Sequence, residues 1–181
     1  MPIHMTPEQF LHEHQRNERE LQHAFERTIP LKLSAAMEEF AKDNFRQGGF
    51  VDNGLTPWKR TMRQNFGKGE DALRTPLLSR EKNLMNSVQH RHTPYKATVF
   101  NDLEYADIHN EGGRIQVTER MRKFFWGKYD ETKSTMYKIL ALKPVGSFIT
   151  IPKRQFIGNS ATLNATIEGI IEAEITKILK I

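Results

Sequence analysis

His90 and His92 are the residues whose type and spacing come nearest to a catalytic or metal-binding pair. Two positions apart on an extended strand, their imidazoles share one face, as the nitrogen ligands of a metal ion do. A metal-dependent nuclease built on them would also need carboxylates gathered from several strands. No further His, Asp or Glu stands at a tell-tale ligand spacing. The second pair, His12 and His14, falls in a helical stretch, where residues two apart face different ways. Asp107, His109 and Glu111 crowd one turn and invite a general acid–base role. Spacing of two on a helix spreads them instead of converging them. His109 is therefore read as hydrogen-bonding backbone at the adjacent Gly112-Gly113 turn. The chain has no cysteine, which removes thiolate zinc, a cysteine nucleophile and disulfides together.

The stretch Phe66-Gly67-Lys68-Gly69-Glu70-Asp71 has the look of a phosphate loop but fails the pattern, because Gly69 is followed by Glu70 and not by Lys-Ser/Thr. No G-x-G-x-x-G follows a strand either, so neither a nucleotide nor any other cofactor is expected. A nucleic-acid surface interleaves aromatics with basic residues, as Arg120 to Tyr129 does. Its DNA-contact candidates are Arg120, Arg122, Lys123, Trp126 and Lys128. The competing readings are an amphipathic helix with one packed face, and a subunit interface rich in Arg and aromatics. Net charge is +5 over 181 residues, from 27 Lys and Arg against 22 Asp and Glu. That favours acidic partners, DNA included, but only modestly.

The elements that position these residues read as follows. Thr6-Pro7-Glu8-Gln9 is a capping box with proline at the first helical position, and it opens a polar helix to about Arg27. With few apolar residues, this helix reads as a peripheral arm or oligomer contact. Pro30 is expected to interrupt or kink the pattern. A second helix to about Arg46 carries the stripe Leu33, Ala36, Met37, Phe40 and Ala41, and Gly48-Gly49 ends it. Residues 48–83 show turn residues without periodicity and read as a long loop, with Trp58, Met62 and Phe66 as anchors. His90 to Asp102 reads as two strands about a turn at Pro94. Thr118 caps a helix over 119–130, and Lys133 to Pro144 is ambiguous between helix and strand. Ser147 to Ile151 alternates as a strand ending at Pro152. Asn159 or Ser160 caps a last helix striped with Leu163, Ile167, Ile170, Ile171, Ile175, Ile178 and Leu179. Burying that stripe is worth on the order of 10 kcal/mol before entropy. The sum is one α+β domain over 1–181: an N-terminal helical region over 1–47, the loop over 48–83, and a core over 84–181. That core is a small antiparallel or mixed sheet packed with helices, ending in a long C-terminal helix. No run of about 18 apolar residues spans a membrane, and residues 1–10 lack the layout of a secretory leader, so the expected setting is the cytoplasm.

Two segments remain. Tyr105 to Gly113 (YADIHNEGG) and Ile151 to Gly158 (IPKRQFIG) are each a rigid backbone feature beside a surface that another subunit can grip. Together they resemble the signature of phage virion morphogenesis proteins, the tail-completion family of Mu-like phages and prophages. The first matches Tyr-Ala-x-Ile-His-x-x-Gly-Gly, the second Ile-Pro-x-Arg-x-Phe-Ile/Leu-Gly ahead of a long C-terminal helix. Leu77 to Val88 fits the family's Leu-rich stretch with its Asn-Ser-Ile/Val ending. One departure is Glu81-Lys82, where the family often has Thr-Gly. The resemblance runs from about Trp58 to the C-terminus. It implies a non-enzymatic protein that acts in tail completion or head–tail joining by closing a homo-oligomeric ring. Its partners would be tail or connector proteins, its setting the bacterial host's cytoplasm and the assembled virion. The residues carrying structural and assembly roles would be Tyr105, His109, Gly112, Gly113, Pro152, Arg154 and Phe156, with Arg154 a fork-shaped donor for an intersubunit carboxylate or carbonyl. A DNA-binding protein with a basic surface is the alternative, and the His90/His92 nuclease the more distant one.

Overall fold

The first helix, α1 (Pro7–His23), starts where its local chemistry dictates. The Thr6 hydroxyl accepts the Gln9 N–H at 3.2 Å and the Gln9 side chain accepts the Thr6 N–H at 3.0 Å, closing the capping box. No residue of α1 is buried. Ala24–Thr28 then forms a single π turn, and α2 (Ile29–Gln47) follows without a break. Proline lacks the amide hydrogen and its ring crowds the carbonyl four residues back. That carbonyl belongs to Glu26, inside the wider π turn, which is where the conflict is absorbed. Pro30 is thus a buried residue of a helical run from 7 to 47, not its interruption.

The structure, a computed structural model, describes residues 5–67 and 69–180 apart from the Asp71 side chain. Met1 to His4, part of the leader reading, and Lys68 of the rejected phosphate loop lie outside the described residues. Gly48 takes φ +70 and ends α2 with its N–H on the Phe45 carbonyl. The stretch expected to be a long loop then holds several elements: β1 (Gly49–Val51), β2 (Leu55–Pro57), α3 (Met62–Phe66) and α4 (Glu70–Leu73). β1 and β2 pair antiparallel. Of the three expected anchors Trp58 is buried, Met62 half-buried and Phe66 exposed. There follow α5 (Asn83–Asn86), the hairpin β3 (Val88–Thr93) and β4 (Lys96–Asn101), α6 (Ala106–Glu111), β5 (Gly113–Gln116) and α7 (Glu119–Thr132). Thr118 caps α7 by accepting the Met121 N–H. The ambiguous segment is a helix, α8 (Thr135–Ala141), and β6 (Phe148–Ile151) pairs antiparallel with β5. α9 (Ala161–Leu179) is capped by Ser160, whose hydroxyl accepts the Leu163 N–H at 3.2 Å.

The class is α+β, and the strands lie in three separate two-stranded sheets among the described residues. No helix among them is long and apolar enough to cross a membrane. The chain divides into two compact units. One takes the chain as far as Phe40, then Gln89–Phe100, and the segment from Asn159 onward; the other takes Ala41–Val88 and Asn101–Gly158. In the first unit α1 packs on α9. Only Leu163 and Glu174 of α9 are buried, while its isoleucine stripe is half-buried, so less of it leaves water than its periodicity promises. Glu174 is held by Lys32, and that bond pulls its carboxyl below the usual range. In the second unit Phe45 is fully buried, its ring 4.8 Å from Phe156 and 5.7 Å from Trp58.

Candidate functional site

In the second unit the two singled-out segments are one piece of structure. β5 pairs with β6 in the register Gly113 to Ile151 and Gln116 to Phe148. Immediately before that ladder, Gly112 turns the chain at φ +77. A Cβ on Gly112 would stand 2.7 Å from the Lys153 nitrogen and 3.1 Å from the Ile151 carbonyl oxygen. Glycine is required there twice over, by its backbone angle and by the chain lying against it.

Past β6 the backbone runs irregularly through residues 152–158, so its polar groups need partners other than a ladder. They find them. Arg154 N–H donates to the His109 carbonyl at 2.8 Å. The Trp58 indole N–H donates to Gln155 O at 3.0 Å. The Asn110 side chain is the centre of the arrangement: its Oδ1 accepts from Phe156 N at 2.9 Å and Ile157 N at 3.0 Å, while its Nδ2 donates to Ile157 O at 3.1 Å. Asn44, fully buried on α2, donates to Phe156 O at 3.2 Å and accepts from Val51 N at 3.1 Å. Phe156 itself is 1% exposed. Asn44 and Asn110 carry no signal of periodicity, and Asn110 occupies a variable position of the first motif; their partners lie far along the chain.

Arg154 is buried, and its guanidinium grips the chain's own backbone, Nε on Lys59 O at 3.0 Å and Nη2 on Arg60 O at 3.4 Å. The donor expected to reach another subunit is thus engaged inside its own. Burial lowers its pKa from the usual arginine value. His109 is the other departure. Its carbonyl serves Arg154, but its side chain does not bond the Gly112-Gly113 turn: Nδ1 is buried without a hydrogen-bond partner among the described residues. Burial, and then the nearby Arg154 charge, push the imidazole pKa down, which favours the neutral ring. Tyr105 meets it edge-on at 6.1 Å. Both line a cavity of about 210 Å³ with Arg63 and Leu84. Pro152 is half-buried just after β6, and Gly113 begins β5. Lys82 stands at φ +56, so the turn where the family often has glycine keeps a glycine-like conformation although the residue has changed.

The acid–base trio does not converge. Asp107 is exposed, and Glu111 pairs with Lys153 at 3.2 Å, a bond that lowers its carboxyl pKa. His90 pairs with Glu38, and His92 lines a different cleft. No group of three His, Asp or Glu suited to a metal occurs among the described residues. Of the DNA-contact candidates on α7, Arg122 donates to Ala141 O and Lys128 pairs with Glu131. Trp126 is half-buried against the Tyr129 edge, while Arg120 and Lys123 are exposed.

A protein-family model described as the phage virion morphogenesis family matches residues 13–176, which reaches back through α1 beyond the two motifs. No curated protein and no solved structure matches the chain.

Proposed function

This chain belongs to the phage virion morphogenesis family, and from that premise we propose that it is a non-enzymatic assembly protein of tail completion or head–tail joining, working as a homo-oligomeric ring. The observation that carries this reading is the fate of the motif's polar side chains. Asn110 and Arg154 bond main chain of their own unit, and Glu111 pairs with Lys153. A catalyst keeps its acid, base or nucleophile turned toward a substrate; these groups instead fix the shape of a scaffold. Surfaces for assembly are the complement. α1 is a well-capped helix without a buried residue, and it exposes Phe10 and Leu11 at 64% and 56%. An ordered helix with uncovered apolar side chains suits a contact with a neighbouring subunit. Rings need contacts between two different surfaces that close on themselves. The partners beyond the ring are tail or connector proteins, met in the host cytoplasm and retained in the virion.

Arg120 and Lys123, exposed and without a hydrogen bond or ion pair among the described residues, favour a secondary contact with DNA, as at the wall of a channel.

The test is complementation. A phage lacking this protein is examined by electron microscopy for joined heads and finished tails, then supplied with the wild-type chain. The expected result is unjoined or unfinished particles restored by the chain. Normal particles without it would overturn the reading.

A further inference from the structure

Three unusual features meet at one place in the first unit. The π turn Ala24–Thr28 is the first; such turns are rare and recur at functional sites. The second is Tyr95, at the hairpin tip, which holds φ +61, an uncommon angle for a bulky side chain. The third joins them: the Tyr95 hydroxyl donates to the Glu26 carboxylate at 2.9 Å, tying the tip to the π turn. Between them lies a cleft of about 380 Å³. Leu31 and Pro94 give it apolar walls, and Arg27 and His92 line it. Neither Arg27 nor His92 makes a hydrogen bond or ion pair among the described residues. The hairpin stretch Gln89 to Phe100 contains Arg91, Lys96 and two histidines but no acidic residue. Glu26, the one carboxylate in the lining, is already engaged by Gln22 and Tyr95. The cleft is thus a pre-shaped apolar slot with a cationic rim.

The chain also carries a surface of the opposite character. Asp102-Leu103-Glu104-Tyr105-Ala106-Asp107 exposes three carboxylates, none of them in a hydrogen bond or ion pair among the described residues, with Tyr105 43% exposed between them. Apolar groups alternate with charge there, the pattern that a slot of this chemistry accepts.

We propose that the π-turn cleft of one copy receives the acidic segment 102–107 of the next, so that this pair of surfaces is the repeating contact of the ring. The occupant is a second copy because complementary charge stands unneutralised on both surfaces of the same chain. Two different surfaces make a heterologous contact, the kind that propagates around a ring instead of stopping at a dimer. This inference rests on the ring reading above and adds the surfaces to it.

The test uses the absence of native cysteine. A Thr93→Cys, Glu104→Cys double variant is oxidised at a concentration where light scattering finds the oligomer. A head-to-tail contact gives a ladder of cross-linked species, while a mixture of the two single variants stops at dimers. In parallel, Arg27→Glu is expected to weaken self-association about tenfold, and Glu104→Arg added to it restores association. An oligomer that neither cross-links nor responds to Arg27→Glu overturns this contact and leaves the ring standing. Thr93→Cys alone cross-linking as well as the mixture overturns it too, since that contact would be symmetric. A chain monomeric at every concentration removes the ring reading itself.

Discussion

The Asn110 carboxamide oxygen accepts the main-chain N–H groups of both Phe156 and Ile157, at 2.9 and 3.0 Å, so one side chain from the first motif closes the backbone of the second. Asn110→Ala leaves two donors and the Ile157 carbonyl without their partner. Each unpaired, part-buried group costs about 1–3 kcal/mol. Urea denaturation is therefore expected to show a loss of about 2–4 kcal/mol, and Asn110→Asp, which keeps the acceptor alone, a smaller loss. An Asn110→Ala chain as stable as wild type would mean that the two motifs do not depend on this bridge.

Gly112 and Gly169 make a matched pair of glycines with opposite expectations. Gly112→Ala forces a Cβ to within 2.7 Å of the Lys153 nitrogen at φ +77, and is expected to destabilise by about 2 kcal/mol or more. Gly169 lies inside α9 with nothing within 4 Å of its would-be Cβ. Gly169→Ala is expected to stabilise by about 0.5–1 kcal/mol through helix propensity. Thermal melts of the two variants check both signs.

Lys82 holds a left-handed backbone that glycine adopts freely. Lys82→Gly is expected to raise stability by about 0.5–1 kcal/mol, with the loss of glycine's extra unfolded-state freedom offsetting part of the relieved strain. A drop in melting temperature would show that the lysine side chain contributes more than the strain takes away.

His109 has a folded-state pKa below its ordinary value of 6.5, through burial first and the Arg154 charge second. The unfolded chain therefore binds a proton before the folded one does. Its contribution is fully present above about pH 6.5 and is lost as pH falls toward the folded-state pKa. Denaturation midpoints at pH 7.5 and 5.5 are expected to fall with pH in the wild type and to fall less in His109→Gln. Equal slopes in the two chains would remove the imidazole as the cause.

What the sequence revealed was local. Thr6 with Gln9, Thr118 and Ser160 signal helix starts because cap and partner lie three residues apart. The Gly112-Gly113 turn and the β6 strand ending at Pro152 were legible for the same reason. The hairpin at 49–57 was not, because three-residue strands with every β2 residue exposed show no alternation. Pro30 misleads because the π turn before it has no sequence signature. The α9 stripe announces a helix, but its burial depends on how much of α1 and α2 covers it, and a glutamate held by Lys32 is buried where its isoleucines are half-exposed. In the site, Gly112 and Phe156 were found from pattern, while Asn44 and Asn110 were not. Their roles arise from partners 112 and 46 residues away.

The central claim is assembly as a closed ring without DNA. Light scattering coupled to size-exclusion chromatography, at low and moderate salt and with and without duplex DNA, tests it most directly. The account predicts one discrete oligomer of fixed stoichiometry, present without DNA. A monomer that gains mass only with DNA, with an affinity that falls steeply as salt rises, would contradict it and establish the basic face of α7 as the working surface.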